Sequence, residues 1–211
     1  MSRCEIDGAE FIPSAGPAIV AINHIGFLDA LLVGIGLPRI PEGLVIDYMF
    51  DVPVIRRMLR LYGAVSFKRD SVPRRALDYA LAALAEGRVI VLPPQEGVTF
   101  GPLGRPKLGV AYLACKSGAP VVPAAITGTE RVSALWYPDE QRVQFTGLRT
   151  LLFRRLKLRL RFGPPYYPPP LDGGWKDQRL TIESATEEIV RRIAALLPRE
   201  YRGVYGEVVR Q

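Results

Sequence analysis

The chain has 211 residues, 48% of them hydrophobic and 23% charged, which is enough apolar material for a sizeable core and excludes disorder as a description of the whole. Lys+Arg 28 against Asp+Glu 21 leaves a net charge of +7, suited to nucleic acid, anionic lipid or a phosphorylated substrate. Two cysteines, Cys4 and Cys115, are too few and too far apart for a disulfide framework or a cysteine zinc site; they point to a reducing compartment and leave a bond between them open.

No apolar stretch of signal-peptide length follows a basic start, so no secretory signal is expected. No window reaches the roughly 18 apolar residues that a spanning helix needs. In chain order, residues 17–23 form a β-branched apolar run, as in a strand buried on both faces. His24 follows at its end. From Phe27 the pattern turns helical to Gly34, with Asp29 in the first turn, where the helix dipole favours a carboxylate. A basic helix is expected over 54–62, then a brief strand over 65–67. Residues 73–86 read as a helix with Pro73 at its start and Gly87 beyond its end.

Residues 88–93 are a second buried strand, 107–116 a helix and 121–126 a third strand, in which Pro123 predicts an edge or an irregularity. Strands alternating with helices at this spacing predict an α/β fold with a mostly parallel central sheet flanked by helices. Residues 156–162 alternate strictly, giving a strand with one apolar and one basic face. Pro164 to Gly174 is a loop, and Thr181 to Leu197 a closing helix with Ile182, Ala185, Ile189, Ile193 and Leu196 on one face. No repeat and no second-domain boundary is seen, so residues 1–211 are expected to form a single domain.

The only histidine carries whatever imidazole chemistry exists. A histidine five residues before an aspartate, across a helix start, can pair imidazole with carboxylate: the Asp accepts the proton-bearing ring nitrogen and leaves the other free as a base. That is the base and orienter of a triad without its nucleophile, so the substrate would bring its own hydroxyl. The plainer alternative is a histidine satisfied at a strand end.

Asn23-His24-Ile-Gly-Phe-Leu-Asp29 resembles the first motif of the glycerolipid acyltransferases, the family that includes 1-acylglycerol-3-phosphate acyltransferase. Gly63-Ala-Val-Ser-Phe-Lys-Arg69 is similar to the second motif, Gln95-Glu96-Gly97-Val98 to the third and Val121-Val122-Pro123 to the fourth, in the family's order. The resemblance runs from about Ile6 to Gly163, leaving 164–211 as a C-terminal loop and helix. It implies a glycerol-3-phosphate acyltransferase-like fold, with His24 as general base and Asp29 as its orienter. An acceptor hydroxyl would attack an acyl thioester with no acyl-enzyme intermediate.

Lys68 and Arg69 would carry the acceptor's phosphate, with Glu96, Gly97 and Lys107 completing the substrate site. Val122 and Pro123 would line the acyl chain by the same resemblance, or be ordinary core. Backbone amides at the helix start after His24 are the expected oxyanion donors. Two departures matter. In the third motif, family members commonly read Pro-Glu-Gly-Thr-Arg, whereas Gln95 replaces the proline, Val98 the threonine and Thr99 the arginine. Arg105 or Lys107 could supply the lost charge. In the first motif, Gly26 stands where serine is common, a change that spares both base and orienter.

No metal and no cofactor is expected; the donor would be acyl-CoA or acyl-ACP, the latter making acyl carrier protein a partner. The acceptor implied is a lysophosphatidate-like lysolipid. The alternatives are an acyltransferase with another, phosphate-free acceptor, or a degenerate member that binds lipid or thioester without turnover. Residues 54–62 and 148–155 set arginines beside apolar side chains, suiting peripheral attachment to an anionic membrane surface on the cytoplasmic face. No helix-turn-helix, zinc-finger or phosphate-loop pattern speaks for nucleic acid.

Overall fold

The computed structural model describes residues 3–26, 28–46, 50–51, 56–57, 59–60, 65–67, 74–95, 97–131, 133–137, 142–146 and 156–206. The strands are β1 (Arg3–Asp7), β2 (Ala18–Ile22), β3 (Pro41–Ile46), β4 (Val65–Phe67), β5 (Val89–Leu92), β6 (Val121–Thr127), β7 (Ser133–Tyr137), β8 (Arg142–Thr146) and β9 (Lys157–Phe162). The helices are α1 (Asp29–Gly36), α2 (Arg74–Ala85), α3 (Gly109–Ser117) and α4 (Trp175–Leu196). Seven strands form one sheet in the order β1-β9-β6-β2-β5-β3-β4, while β7 and β8 make a separate antiparallel pair. Every neighbouring pair of the large sheet is parallel except β6 with β9. The fold is therefore α/β with a mostly parallel sheet, as the alternation of strands and helices predicts.

Alternate residues of the strands feed two cores, because successive side chains leave opposite faces of a strand. Ile19 and Ala21 of β2 pack with Ile90, Val121 and Ala125 beneath α2, α3 and α4. Ala18, Val20 and Ile22 pack with Val122, Ala124, Ile126 and Leu160 beneath Leu32 and Val33 of α1. With both faces covered, β2 is apolar throughout, and all five of its residues are buried. In β9 the alternation holds: Leu160 and Phe162 are buried, while the guanidinium of Arg159 meets Glu5 and that of Arg161 meets Asp7 on the neighbouring β1.

Several expectations change. Pro123 is not on an edge, since β6 lies between β2 and β9. It is tolerated by an irregularity: β9 pairs only from Ala124 onward, and the chain then turns so that Gly163 donates to the Pro123 carbonyl (2.8 Å) and Tyr166 pairs with Val121. The missing N–H of Pro123 falls in that break.

Helix α4 begins at Trp175 rather than Thr181, with the Gly174 N–H held by the Asp177 carboxylate (3.2 Å) and the Gln178 N–H by the Gly174 carbonyl (3.0 Å). Its first turns leave Trp175 and Leu180 exposed, so the apolar stripe starts only where the helix meets the core at Ile182. The strands β1, β3, β7 and β8 are additional to those expected. Cys4 is exposed and Cys115 buried, and the two are unbonded. Of the basic helix expected over 54–62, residues 56–57 and 59–60 are helical; Leu59 turns inward, and Arg57 and Arg60 are exposed. The rest of that segment, and all of 148–155, lie outside the described residues.

Candidate active site

Strand order sets the site. Because β2 runs parallel between β5 and β6, the loops leaving the C-terminal ends of all three strands emerge at one edge of the sheet, where open α/β sheets place ligands. The central loop carries His24. Asn23, buried at the end of β2, imitates a strand partner: its Nδ2 donates to the Ile126 carbonyl (2.8 Å) and its Oδ1 accepts the Ile126 N–H (2.6 Å). This double bond of side chain to backbone fixes where the chain leaves the sheet and hence where His24 stands.

His24 Nδ1 lies 2.8 Å from Asp29 Oδ2. The same oxygen accepts the N–H groups of Ile25 (2.7 Å) and Gly26 (2.9 Å), and Oδ1 accepts the hydroxyl of Thr129. A carboxylate surrounded by donors can only accept from the imidazole, so the Nδ1 side carries the proton and Nε2 keeps its lone pair. Asp29 is wholly buried, whereas the His24 side chain is 30% exposed. The carboxylate is shielded and the imidazole is open.

This geometry commits the amides of Ile25 and Gly26 to Asp29, which removes these two from the expected oxyanion donors. It also gives Gly26 a reason. A Cβ there would sit 2.5 Å from the Thr129 carbonyl oxygen and 2.7 Å from its carbon, so the absence of a side chain lets the Thr129 turn lie flat against the loop.

The loop after β5 closes over the other side. The carbonyl of His24 accepts the Thr99 N–H (2.9 Å) and the Gln95 side-chain amide (3.1 Å), with the Thr99 hydroxyl at 3.4 Å. Gln95 Nε2 also reaches the Gly97 carbonyl at 3.3 Å. Gly97 supplies a left-handed turn (φ 64°) that costs a side chain dearly, and Phe100 is the one non-glycine residue with positive φ among those described. Val98 and Phe100 are exposed on this loop.

Of the other predicted site residues, Lys107 is exposed on its side chain and ties its backbone N–H to the Pro94 carbonyl (2.8 Å), and Arg105 is exposed nearby. Val122 and Pro123 are buried at the level of Val20 and Ala21, below the strand end that carries His24. Lys68, Arg69 and Glu96 lie outside the described residues. Thr129, Gln95 and Thr99 are the contributors that sequence reasoning missed as site residues. Gln95 and Thr99 were visible only as departures from the third motif; the hydroxyl of Thr129 meets a carboxylate 100 residues away, which no local pattern signals. The C-terminal segment joins the frame through Tyr201, whose hydroxyl donates to Glu130 (2.9 Å) and whose carbonyl accepts the Leu103 N–H (2.9 Å). Burial, then the hydrogen bond to Glu130, pushes the Tyr201 phenol up to about 12. Among the described residues no cluster of three or more His, Cys, Asp or Glu could hold a metal, and no helix is long and apolar enough to cross a membrane.

A buried carboxylate thus holds an imidazole at the end of a central parallel strand, and the family model for acyltransferases matches residues 3–127. The chain belongs to the acyltransferase family. It is similar to the chloroplastic 1-acyl-sn-glycerol-3-phosphate acyltransferase BAT2 of Brassica napus, 30% identical over 62% of this chain and 39% of that protein. An uncharacterised protein of Mycobacterium leprae is 26% identical over 95% of this chain and 61% of its own length. The chain thus spans less than two thirds of the length of these relatives. The crystal structure of the 1-acyl-sn-glycerophosphate acyltransferase PlsC from Thermotoga maritima shares the fold, with a TM-score of 0.60 at 22% identity, covering 89% of this chain and 71% of that one.

Proposed function

We propose that this protein is an O-acyltransferase that moves a fatty acyl group from acyl-CoA or acyl-ACP to a hydroxyl of a lysophosphatidate-like glycerolipid. The observation that carries the reading is the His24–Asp29 pair, with its base nitrogen free and its carboxylate buried. His24 Nε2 takes the proton of the acceptor hydroxyl as the oxygen attacks the thioester carbonyl. The tetrahedral adduct then collapses, the C–S bond breaks, and the proton passes from His24 to the departing sulfur, leaving an ester and a free thiol. Asp29 stabilises the imidazolium in between. The chemistry needs no acyl-enzyme and no metal.

In this reading Lys68 and Arg69 bind the acceptor's phosphate, Arg by its two-pronged fork, with Glu96, Gly97 and Lys107 bordering the substrate. Val122 and Pro123 form the apolar floor of the acyl side. Arg57 and Arg60, exposed on the basic helical segment, favour peripheral binding to an anionic membrane, at roughly 1 kcal/mol per cation near the surface. A second reading, a phosphate-free acceptor, is favoured by the third-motif loop, where Thr99 turns inward to His24 and Val98 and Phe100 are the exposed neighbours.

A radiolabelled acyl thioester offered with lysophosphatidate and, separately, with a phosphate-free monoacylglycerol distinguishes the two. Preference for lysophosphatidate, lost in Arg69→Ala, supports the first acceptor; equal or better transfer to monoacylglycerol supports the second. Saturable binding of lipid or thioester with no product from either carrier would mean a binding protein without turnover.

A further inference from the structure

The peptide unit between His24 and Ile25 is gripped at both ends. Its carbonyl accepts Thr99 N–H and Gln95 Nε2, and its N–H donates to the same Asp29 oxygen that holds the His24 ring. Tilting that peptide plane therefore moves the ring and its orienter together. Hydrogen bonds in series through one amide also reinforce each other, so donors on the oxygen strengthen the N–H that meets Asp29.

Gln95 is suited to this task and to little else. It is only 6% exposed. Its two amide hydrogens face the carbonyls of His24 and Gly97, while its Oε1 is buried without a hydrogen-bond partner among the described residues. Turning the amide over would set that oxygen against two carbonyl oxygens, so the orientation is fixed by the donors. A buried acceptor left unsatisfied is uncommon and calls for a reason; here the side chain is retained for its NH2 group. Thr99, four residues on, completes the grip with its backbone N–H, and its hydroxyl lies beside both the His24 carbonyl and the Gln95 amide.

We propose that Gln95 and Thr99 are positioning residues for the His24–Asp29 pair: through the carbonyl of His24 they set the peptide plane that aligns the base. Two of the three places where this chain departs from its family's third motif thus converge on one atom of the first motif. The proposal rests on the acyltransferase reading for its kinetic consequence, though not for its structural one.

The test uses the full chain with Gln95→Met, which keeps the length and removes the donors, and Gln95→Glu, which keeps the shape. Gln95→Met is expected to lower kcat about tenfold, the size of one hydrogen bond realised in the transition state, with KM for thioester and acceptor unchanged. Gln95→Glu should be more impaired at alkaline pH and recover relative to wild type as pH falls, because a protonated carboxyl regains an O–H donor for the His24 carbonyl. A residue that only filled space would show neither the kcat-only loss nor the pH-dependent recovery.

Because His24 is the sole histidine, its ring gives one pair of 15N resonances, which report the tautomer without turnover; both variants should shift them from a fixed Nδ1–H form toward an averaged one. Unaltered resonances and kcat in both variants would overturn the proposal, as would a raised KM with kcat intact, which would make Gln95 a substrate contact. Wild type without any acyl transfer would instead refute the acyltransferase reading, and the 15N shifts would still decide the positioning.

Discussion

Gly26→Ala adds a single methyl group at the point where two loops of the site touch. That carbon would fall 2.5 Å from Thr129 O, 2.7 Å from Thr129 C and 3.1 Å from Glu130 N, all backbone atoms, so no flexible side chain can swing aside. The Thr129 turn has to retreat, and the hydroxyl it directs at Asp29 goes with it. Overpacking of this kind costs about 1–3 kcal/mol, and restricting the unfolded chain returns about 0.4–1 kcal/mol. The net of about 1–2 kcal/mol corresponds, for a chain of this size, to a fall in Tm of about 2–8 °C. Thermal unfolding followed by circular dichroism at neutral pH measures it, and an acyl-transfer assay on the same preparation should show lower kcat, since Asp29 loses one of its four donors. A variant that melts with wild type and turns over normally would show that the Thr129 turn does not bear on Gly26, and the packing argument would be wrong.

Three further outcomes follow from the same contacts. Thr129→Val keeps the side-chain shape but leaves Asp29 Oδ1 buried without its hydroxyl donor, so unfolding free energy should drop by about 1–3 kcal/mol; equal denaturant midpoints for variant and wild type would contradict this. Asn23→Leu removes both bonds to the Ile126 backbone and strands its buried N–H and C=O, so it should destabilise more than Thr129→Val in the same titration. Tyr201 has a phenol raised from an ordinary value of 10 to about 12. A raised value means that folding favours the protonated form: the contribution is full below pH 10 and disappears as pH climbs through 12. Stability of Tyr201→Phe should therefore be flatter than that of wild type between those limits, and parallel curves would refute the assignment.

The sequence is most informative where one element decides its own environment. Residues 17–23 are apolar without alternation because both faces of β2 are covered, and 156–162 alternate because only one face of β9 is. His24 and Asp29 are legible for the same reason, being close in sequence and joined across one strand-to-helix junction. What stays hidden depends on partners distant in the chain. The first turns of α4 carry no stripe because they precede the core, and Pro123 sits in a central strand only because β9 ends beside it. Thr129, Gln95 and Thr99 reach the site through side chains and amides whose targets are 71 to 100 residues away. In the third motif, the departures at positions 95 and 99 are readable as losses of a family pattern, while their shared destination, the His24 carbonyl, exists only once β5 lies beside β2.

In the proposed reaction His24 is the general base. Product formation from a radiolabelled acyl thioester and a lysolipid, measured side by side for wild type and His24→Ala, tests it most directly. Removing a positioned base should lower kcat on the order of 10²- to 10⁴-fold, with the substituted protein folded and still binding the thioester. Transfer by His24→Ala at the wild-type rate would contradict the account and send the search for the base elsewhere in the chain.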